Sequence, residues 1–330
     1  MEAVVVKDVS EFAKFDPAFA CDGLFVPRSQ KGWALYDVEK TFDRGEIGFK
    51  GVQLTAAHQS VLLAVCARTG RHGLEVIGTK SDPKGYQGSL SLEEASQVND
   101  ECDERDDLDA LLDMIFEDLE AGEAAKKNTA QIEVSAYSLL KDSGLADGGN
   151  GYKRMIDLLR DLASVSVYRR VGKNGATSRL VSFSHVGDRM KILVNWRLAA
   201  AVLGGGQFAR ISLYERNDLK SSAAKILHAW LCCHLRPGQS FMGSQGVALD
   251  SLMPHVWGKR PVKNDPAIRK RRLALKEAVA EIAELGGWAV TSGQRPGIIH
   301  IARPKDPYAH EPVERWLPTP GAYHEKMNSD

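Results

Sequence analysis

Eight cations, Lys259, Arg260, Lys263, Arg269, Lys270, Arg271, Arg272 and Lys276, stand in one stretch whose only acid is Asp265. The chemistry open to such a cluster is charge-assisted hydrogen bonding to a polyanion. From Asp265 onward the stretch also reads as a helix. Asp265 is a good cap, and Pro266 suits the first turn, where its missing N–H costs nothing. Leu275, Ala278, Val279, Ile282 and Gly286 recur at helical spacing, and Ile268 extends this apolar stripe backwards. Arg269, Lys270 and Lys276 fall on the opposite side, while Arg271 and Arg272 flank the stripe. Cations near a helix N-terminus oppose the macrodipole by about 0.3–1 kcal/mol each. Phosphates would reverse that sign, because helix end and side chains then attract the same anions. A solvated basic face is the plain alternative; the misplaced charge favours nucleic acid.

Other constellations lead elsewhere. His228, Cys232, Cys233 and His234 spell HxxxCCH, a tempting zinc spacing. On a helix, however, His228 and Cys232 face away from Cys233 and His234, so no metal is expected. Gly204-Gly205-Gly206 lacks a preceding strand and a Walker lysine, which favours a tight bend over a phosphate loop. The patterns GxxxxGK[ST], HExxH and GxSxG do not occur, nor do paired histidines suited to a nicking endonuclease. The expectation is a protein that is not an enzyme and uses no cofactor. Five cysteines, Cys21, Cys66, Cys102, Cys232 and Cys233, are odd in number and form no CxxC pair, which argues against a disulfide framework. Without a signal-peptide pattern or an apolar run long enough for a bilayer, a soluble, cytoplasmic protein with no membrane partner is expected.

The elements that must position these residues follow from pattern. Lys+Arg and Asp+Glu are equal at 43 each, so net charge names no partner, but the acids are concentrated between Leu92 and Glu123. There Leu108, Leu111, Leu112, Ile115, Phe116 and Leu119 give an amphipathic helix with an acidic back. Residues 1–32 read as irregular. Trp33–Phe42 and Ile47–Phe49 read as strands joined by a turn, followed by a helix to about Thr69 with His58 on its apolar face as a satisfied core histidine. Gly70 and Gly73 would stop that helix, and Leu74–Ile77 offers a short strand. Ala130–Val134 reads as a strand, then a short helix capped by Ser135 and ended by Gly144, then a helix from Tyr152 to about Ala163. That is helix-turn-helix order. Lys153, Arg154 and Arg160 lie on its outer face, although Asp157 and Asp161 weaken the basic character. Val165–Val171 and Thr177–Ser184 form a hairpin turning at Asn174-Gly175, decorated by Arg169, Arg170, Lys173 and Arg179. Met190–Val194 closes the sheet.

The second half repeats this order. A long helix carries Leu219, Ala223, Ile226, Leu227, Trp230 and Leu231; a strand at Gly246–Leu249 and a short helix capped by Asp250 follow. The basic helix comes next, then a hairpin, Trp288–Thr291 and Ile298–Ile301, with Arg295 at its tip. The fold class read from sequence is α+β: two tandem winged-helix domains, with an acidic helical insertion in the first and a mobile C-terminal tail. The domains span 1–194, with the insertion at about 92–123, and 195–303, leaving 304–330 as the tail.

Several stretches resemble one family. AAAVLGGGQFARISLYERNDLKSSAAKILHAWLCCHLRPGQS, HVWG and IRKRRLALKEAVAEIAELGGWAVT together look like the IncQ-type plasmid replication initiators of the replication protein C (RepC) family. FDPAFACDGLF and GGNGYKRMIDLLRDLASVSV are similar too, so the resemblance covers about residues 15–303 with interruptions. It implies a protein that binds directly repeated double-stranded sites, iterons, in a plasmid origin, opens adjacent A·T-rich DNA and brings in the plasmid helicase and primase. It also leaves a homodimer open. The DNA-binding candidates are then Lys259, Arg260, Lys263, Arg269, Lys270, Arg271, Arg272, Lys276 and Arg295 in the second domain, and Lys153, Arg154, Arg169, Arg170, Lys173 and Arg179 in the first. A winged-helix transcriptional repressor without origin-melting activity is the competing reading.

Overall fold

The computed structural model describes residues 12–27, 36–42, 45–76, 130–146, 150–171, 174–203, 206–241, 245–259, 265–293, 295 and 297–305. The acidic segment 92–123, the tail beyond 305, and Arg260, Lys263 and Lys173 lie outside them.

Two series of elements share one order. In the first, helix α1 (Ala56–Val76) precedes strand β6 (Gln131–Ser135), helices α2 (Ala136–Asp142) and α3 (Gly151–Ala163), and the hairpin β9 (Val181–Val186)–β10 (Arg189–Val194). β10 lies between β6 and β9, antiparallel to both. In the second, helix α6 (Ser222–His234) precedes β12 (Val247–Ala248), a short 3-10 turn running into α7 (Met253–Trp257), helix α8 (Asp265–Ala283) and the hairpin β13 (Ala289–Ser292)–β14 (Ile298–Ala302). Again the last strand is central, with β14 between β12 and β13.

Local chemistry explains most boundaries. The Ser135 hydroxyl caps α2 by accepting from Ser138 N, and Gly144 takes φ +61° after it, where a Cβ would lie 2.3 Å from Asn217 Oδ1. α3 buries Met155, Ile156, Leu158, Leu159 and Leu162, while α8 buries Leu275, Ala278, Val279 and Ile282. The four α8 residues lie on the stripe the sequence spacing marks, but Gly286, placed on the same stripe, is exposed and beyond the helix.

Several expectations need correction. Residues 1–32 are not all irregular: β1 (Phe12–Phe15) pairs with β11 (Ala209–Ser212), and β2 (Phe25–Val26) runs parallel to β5 (Leu54–Thr55). Between β1 and β2, Asp16 caps a short 3-10 turn. Gly70 and Gly73 do not end α1, which continues through the expected strand at Leu74–Val76. At Gly70 the absent side chain lets α4 (Trp196–Leu203) pack closely, since a Cβ there would sit 3.3 Å from Val202 Cγ1. Close packing outweighs the roughly 1 kcal/mol helix penalty of glycine.

The basic hairpin differs most. β7 (Ser166–Val171) and β8 (Asn174–Arg179) pair with Val171 opposite Asn174, so Asn174-Gly175 is strand and not the turn. The span Thr177–Ser184 is two strands, not one. Fully buried Leu180 divides them: its N–H donates to Val165 O at 2.8 Å, and its carbonyl accepts from Asn195 N at 3.0 Å. β7–β8 joins β3 (Tyr36–Phe42) and β4 (Gly45–Gly51) in a separate antiparallel sheet of order β3-β4-β7-β8. The hairpin that closes on β6 is therefore β9–β10.

Leu219 is not on the long helix. α5 (Leu213–Asp218) ends just before it, and Ser221 caps α6 anew by accepting from Ala224 N. Helix α6 has no solvent side at His228 and Cys232, which are both buried. Asp250 does not act as a side-chain cap: it lies within the 3-10 turn Leu249–Leu252, and its carboxylate holds Arg272.

Candidate nucleic-acid interface

Helix α8 carries the densest exposed positive charge. Arg269, Lys270 and Lys276 are exposed and have no ion-pair partner among the described residues. Arg271 is half-buried, with its guanidinium 5.6 Å from the centroid of the Trp257 ring, and burial lowers its pKa. Arg272 donates from Nε to Asp250 at 2.8 and 3.0 Å and also pairs through Nη2. The carboxylate beside it raises its pKa. These two arginines lock α8 onto the α7 side, while the outward cations stay free. Charge changes sign along the helix. Its C-terminal half carries Glu277 and Glu281, with Glu284 just past its end, and Glu281 Oε2 accepts from the backbone N–H groups of Lys220 and Ser221 at 2.8 and 3.0 Å. Most of the positive charge, Lys276 excepted, lies in the N-terminal half.

Lys259 is exposed and lies 4.0 Å from Asp22, whose other carboxylate oxygen accepts from His255 Nδ1 at 2.6 Å. Arg295, exposed, stands between β13 and β14.

In the first series, Lys153 and Arg154 are exposed at the start of α3. The helix end is fixed to the β9–β10 turn by the Tyr152 hydroxyl, which donates to Gly187 O and lies 3.2 Å from His185 Nδ1. Arg179 is exposed in β8. Arg169 lies over the Trp196 ring at 5.5 Å, and Arg170 pairs with Glu46 at 2.8 Å. Those three belong to the separate four-stranded sheet, away from the hairpin that closes on β6. Sequence reasoning missed Arg189 and Lys191 on β10, both exposed, with Arg189 3.2 Å from Glu133. It also missed Val186 beside the turn. The signal was present as Val186-Gly187-Asp188-Arg189, a two-residue hairpin turn with Gly187 at φ +60°.

His58 is the satisfied core histidine expected. Its Nδ1 meets Thr55 and its Nε2 lies 3.1 Å from Asp161; burial lowers its pKa, against the pull of that carboxylate. Glu215, His228 and Cys232 converge, while Cys233 and His234 take no part in the cluster, as the helical spacing implies. His228 Nε2 is 3.0 Å from Glu215 Oε2 and 3.6 Å from Cys232 Sγ, and Trp288 Nε1 donates to Glu215 at 3.3 Å. Burial alone would lower the His228 pKa, but Cys232 and Glu215 outweigh it and push it up to about 9. A metal-bound histidine has its other ring nitrogen held by a partner, whereas His228 Nδ1 has no hydrogen bond. The cluster suits a buried imidazolium–carboxylate pair that joins α5, α6 and the start of the last hairpin.

Beside it, Arg216 is fully buried. It donates to Ala56 O at 3.2 Å, Gln59 Oε1 at 2.9 Å, Ser60 Oγ at 3.3 Å and Lys225 O at 2.5 Å. Burial pushes its guanidinium down to about 9, still charged at neutral pH.

The model of the replication protein C (RepC) family matches residues 72–305, well over half of the chain. The chain belongs to the RepC family. Among solved structures it is similar to a crystal structure of domains 2 and 3 of RctB, with 8% identity, a TM-score of 0.48, and coverage of 88% of this chain and 99% of that one. No curated protein matches it. Among the described residues of this RepC-family chain, no helix is long and apolar enough to cross a membrane.

Proposed function

We propose that this RepC-family protein is a plasmid replication initiator that binds double-stranded DNA sequence-specifically through two winged-helix domains. The units are α1–β6–α2–α3–β9–β10 and α6–β12–α7–α8–β13–β14, within the spans 1–194 and 195–303. The observation that carries the reading is the position of the free cations. Arg269, Lys270 and Lys276 lie outward on α8, the third helix of its series, which is the recognition position of a helix-turn-helix. Lys153 and Arg154 stand at the start of α3, the corresponding helix of the first series. Arg271 and Arg272 hold α8 in place, and Arg295, Arg189 and Lys191 flank the grooves from the hairpins.

The ligand sites are directly repeated iterons at the origin. Binding energy and distortion open neighbouring A·T-rich DNA, without nucleotide hydrolysis by the protein itself, and the plasmid helicase and primase are then recruited. Selection of bound duplexes from a random pool tests the binding step. Long recurring sites, weakened by Arg269→Ala, are expected; recovery of no preferred sequence would overturn it. Probing a supercoiled origin for unpaired bases separates the initiator from a winged-helix repressor, which would protect its site without exposing bases.

A further inference from the structure

The outward face of α8 is not purely polar. Leu273 is 59% exposed, although it lies only two residues from fully buried Leu275. At about 100° per residue the two point to nearly opposite sides of the helix, so Leu273 sits at the centre of the solvent face. Arg269 and Lys270 are one turn before it and Lys276 nearly one turn after it, all exposed. Single exposed apolar residues are ordinary on protein surfaces, but here their distribution is not scattered. The large exposed hydrophobics among the described residues are Tyr137, Tyr152, Val186, Phe208 and Leu273. Phe208 is covered by the Lys14 ammonium at 5.1 Å. The other four lie on α2, α3, the β9–β10 turn and α8, elements of the two units proposed above to bind DNA.

The geometry points to Leu273 as a specificity-determining residue that packs on a thymine C5-methyl group in the major groove. This rests on the function proposed above. A duplex major groove is wide enough for a helix, and the thymine methyl is its one apolar group. Arg269 and Lys270 bring the helix to the phosphates or guanine edges, and the leucine between them has neither a protein partner nor a polar atom to offer. Its match is an apolar spot bordered by anions.

Removing the methyl alone tests this. Duplexes recovered with the wild-type chain from a random pool are resynthesised with deoxyuridine replacing each thymine in turn. Burial of one methyl corresponds to about a fourfold change in affinity, so a loss of that order is expected at one thymine. Leu273→Ala should lose a similar factor on the thymine duplex and show no further loss with deoxyuridine, while Leu273→Met should keep the methyl response. Wild-type indifference to deoxyuridine at every position, or an undiminished response in Leu273→Ala, would overturn the inference. If Arg269→Ala still weakens binding in that case, the function stands and only the thymine contact falls. If no duplex is recovered at all, both fall.

Discussion

Asp250→Asn should make this protein bind DNA more tightly. In the free protein the Asp250 carboxylate accepts from Arg272 Nε at 2.8 and 3.0 Å, so one cation of the proposed recognition helix is already neutralised. Moving Arg272 from Asp250 to a phosphate would leave a bare carboxylate beside the duplex, and little would be gained. Among the candidate contacts on the described residues, Arg269, Lys270, Lys276 and Arg295 in the second series and Lys153 and Arg154 in the first are exposed and have no ion pair. If these reach phosphates, the slope of log affinity against log salt is about −5. The isosteric Asp250→Asn change releases Arg272 and should steepen that slope by about 0.9, so the variant's advantage over the wild type should shrink about 3.5-fold between 50 and 200 mM salt.

Fluorescence anisotropy on a labelled selected duplex across a salt series reads both quantities. Both partners are well exposed, with side chains 50% and 45% accessible, so thermal unfolding should hardly move. Arg272→Ala alone should weaken binding by leaving the carboxylate, and the double variant should return near the wild type. An unchanged slope and affinity in Asp250→Asn, with an unchanged melting curve, would mean that this face of α8 does not meet DNA.

Three further outcomes follow from the same geometry. Arg269→Ala and Lys270→Ala should each flatten the salt slope by about 0.9 if the residue meets phosphate; a base contact would instead relax specificity at one position, which repeated pool selection detects. Arg216→Ala should cost about 3 kcal/mol or more in urea unfolding, because it empties a fully buried site and takes the donor from buried Gln59 Oε1. His228 is raised from 6.5 to about 9 in the fold, so its contribution is complete below pH 6.5 and fades as pH rises through 9. That contribution is at most about 3 kcal/mol, and a urea midpoint that stays flat over this window in the wild type, but not in Glu215→Gln, would contradict the assignment.

Periodic segments were legible and long-range pairings were not. The stripes of α3 and α8 follow from spacing alone, because each helix has one wet face and one buried face. Helix α6 is harder to read: spacing puts His228 and Cys232 on one face, but Glu215, which meets them in the buried cluster, comes from another element. Nothing local tells Phe12–Phe15 that its partner is Ala209–Ser212. The hairpin error has a similar origin. An Asn-Gly pair is a strong local turn signal, but the register is set by Leu180, whose buried side chain ends one sheet and begins another. The cations of α8 are visible in the sequence as a cluster, whereas the engagement of Arg272 by Asp250 and of Arg271 by Trp257 depends on residues outside the helix.

The joint between the two series has a consequence for the DNA they can share. Strand β1, near the N-terminus, pairs with β11, which precedes α6. Arg216, between β11 and α6, reaches back to Ala56, Gln59 and Ser60 on α1. Arg303, after the last strand, donates to the carbonyls of Cys232 and Leu235 at 2.8 and 2.9 Å and also to that of Arg210. Buried hydrogen bonds of a charged group are costly to open, so these ties argue for a fixed spacing between α3 and α8 instead of a loose tether. Two recognition helices at fixed spacing demand fixed spacing in the site. Inserting about five base pairs, half a helical turn, between the two contacted segments would turn the second to the far side of the duplex. Binding should then continue through one helix only, with the salt slope falling to about −3.6 if the four cations of the second series stay bound. An insertion of a full turn restores the face but displaces the second segment by about 34 Å, so a rigid joint predicts no recovery there either. Tolerance of either insertion, at unchanged affinity and slope, would show that the joint yields and that Arg216 serves stability alone.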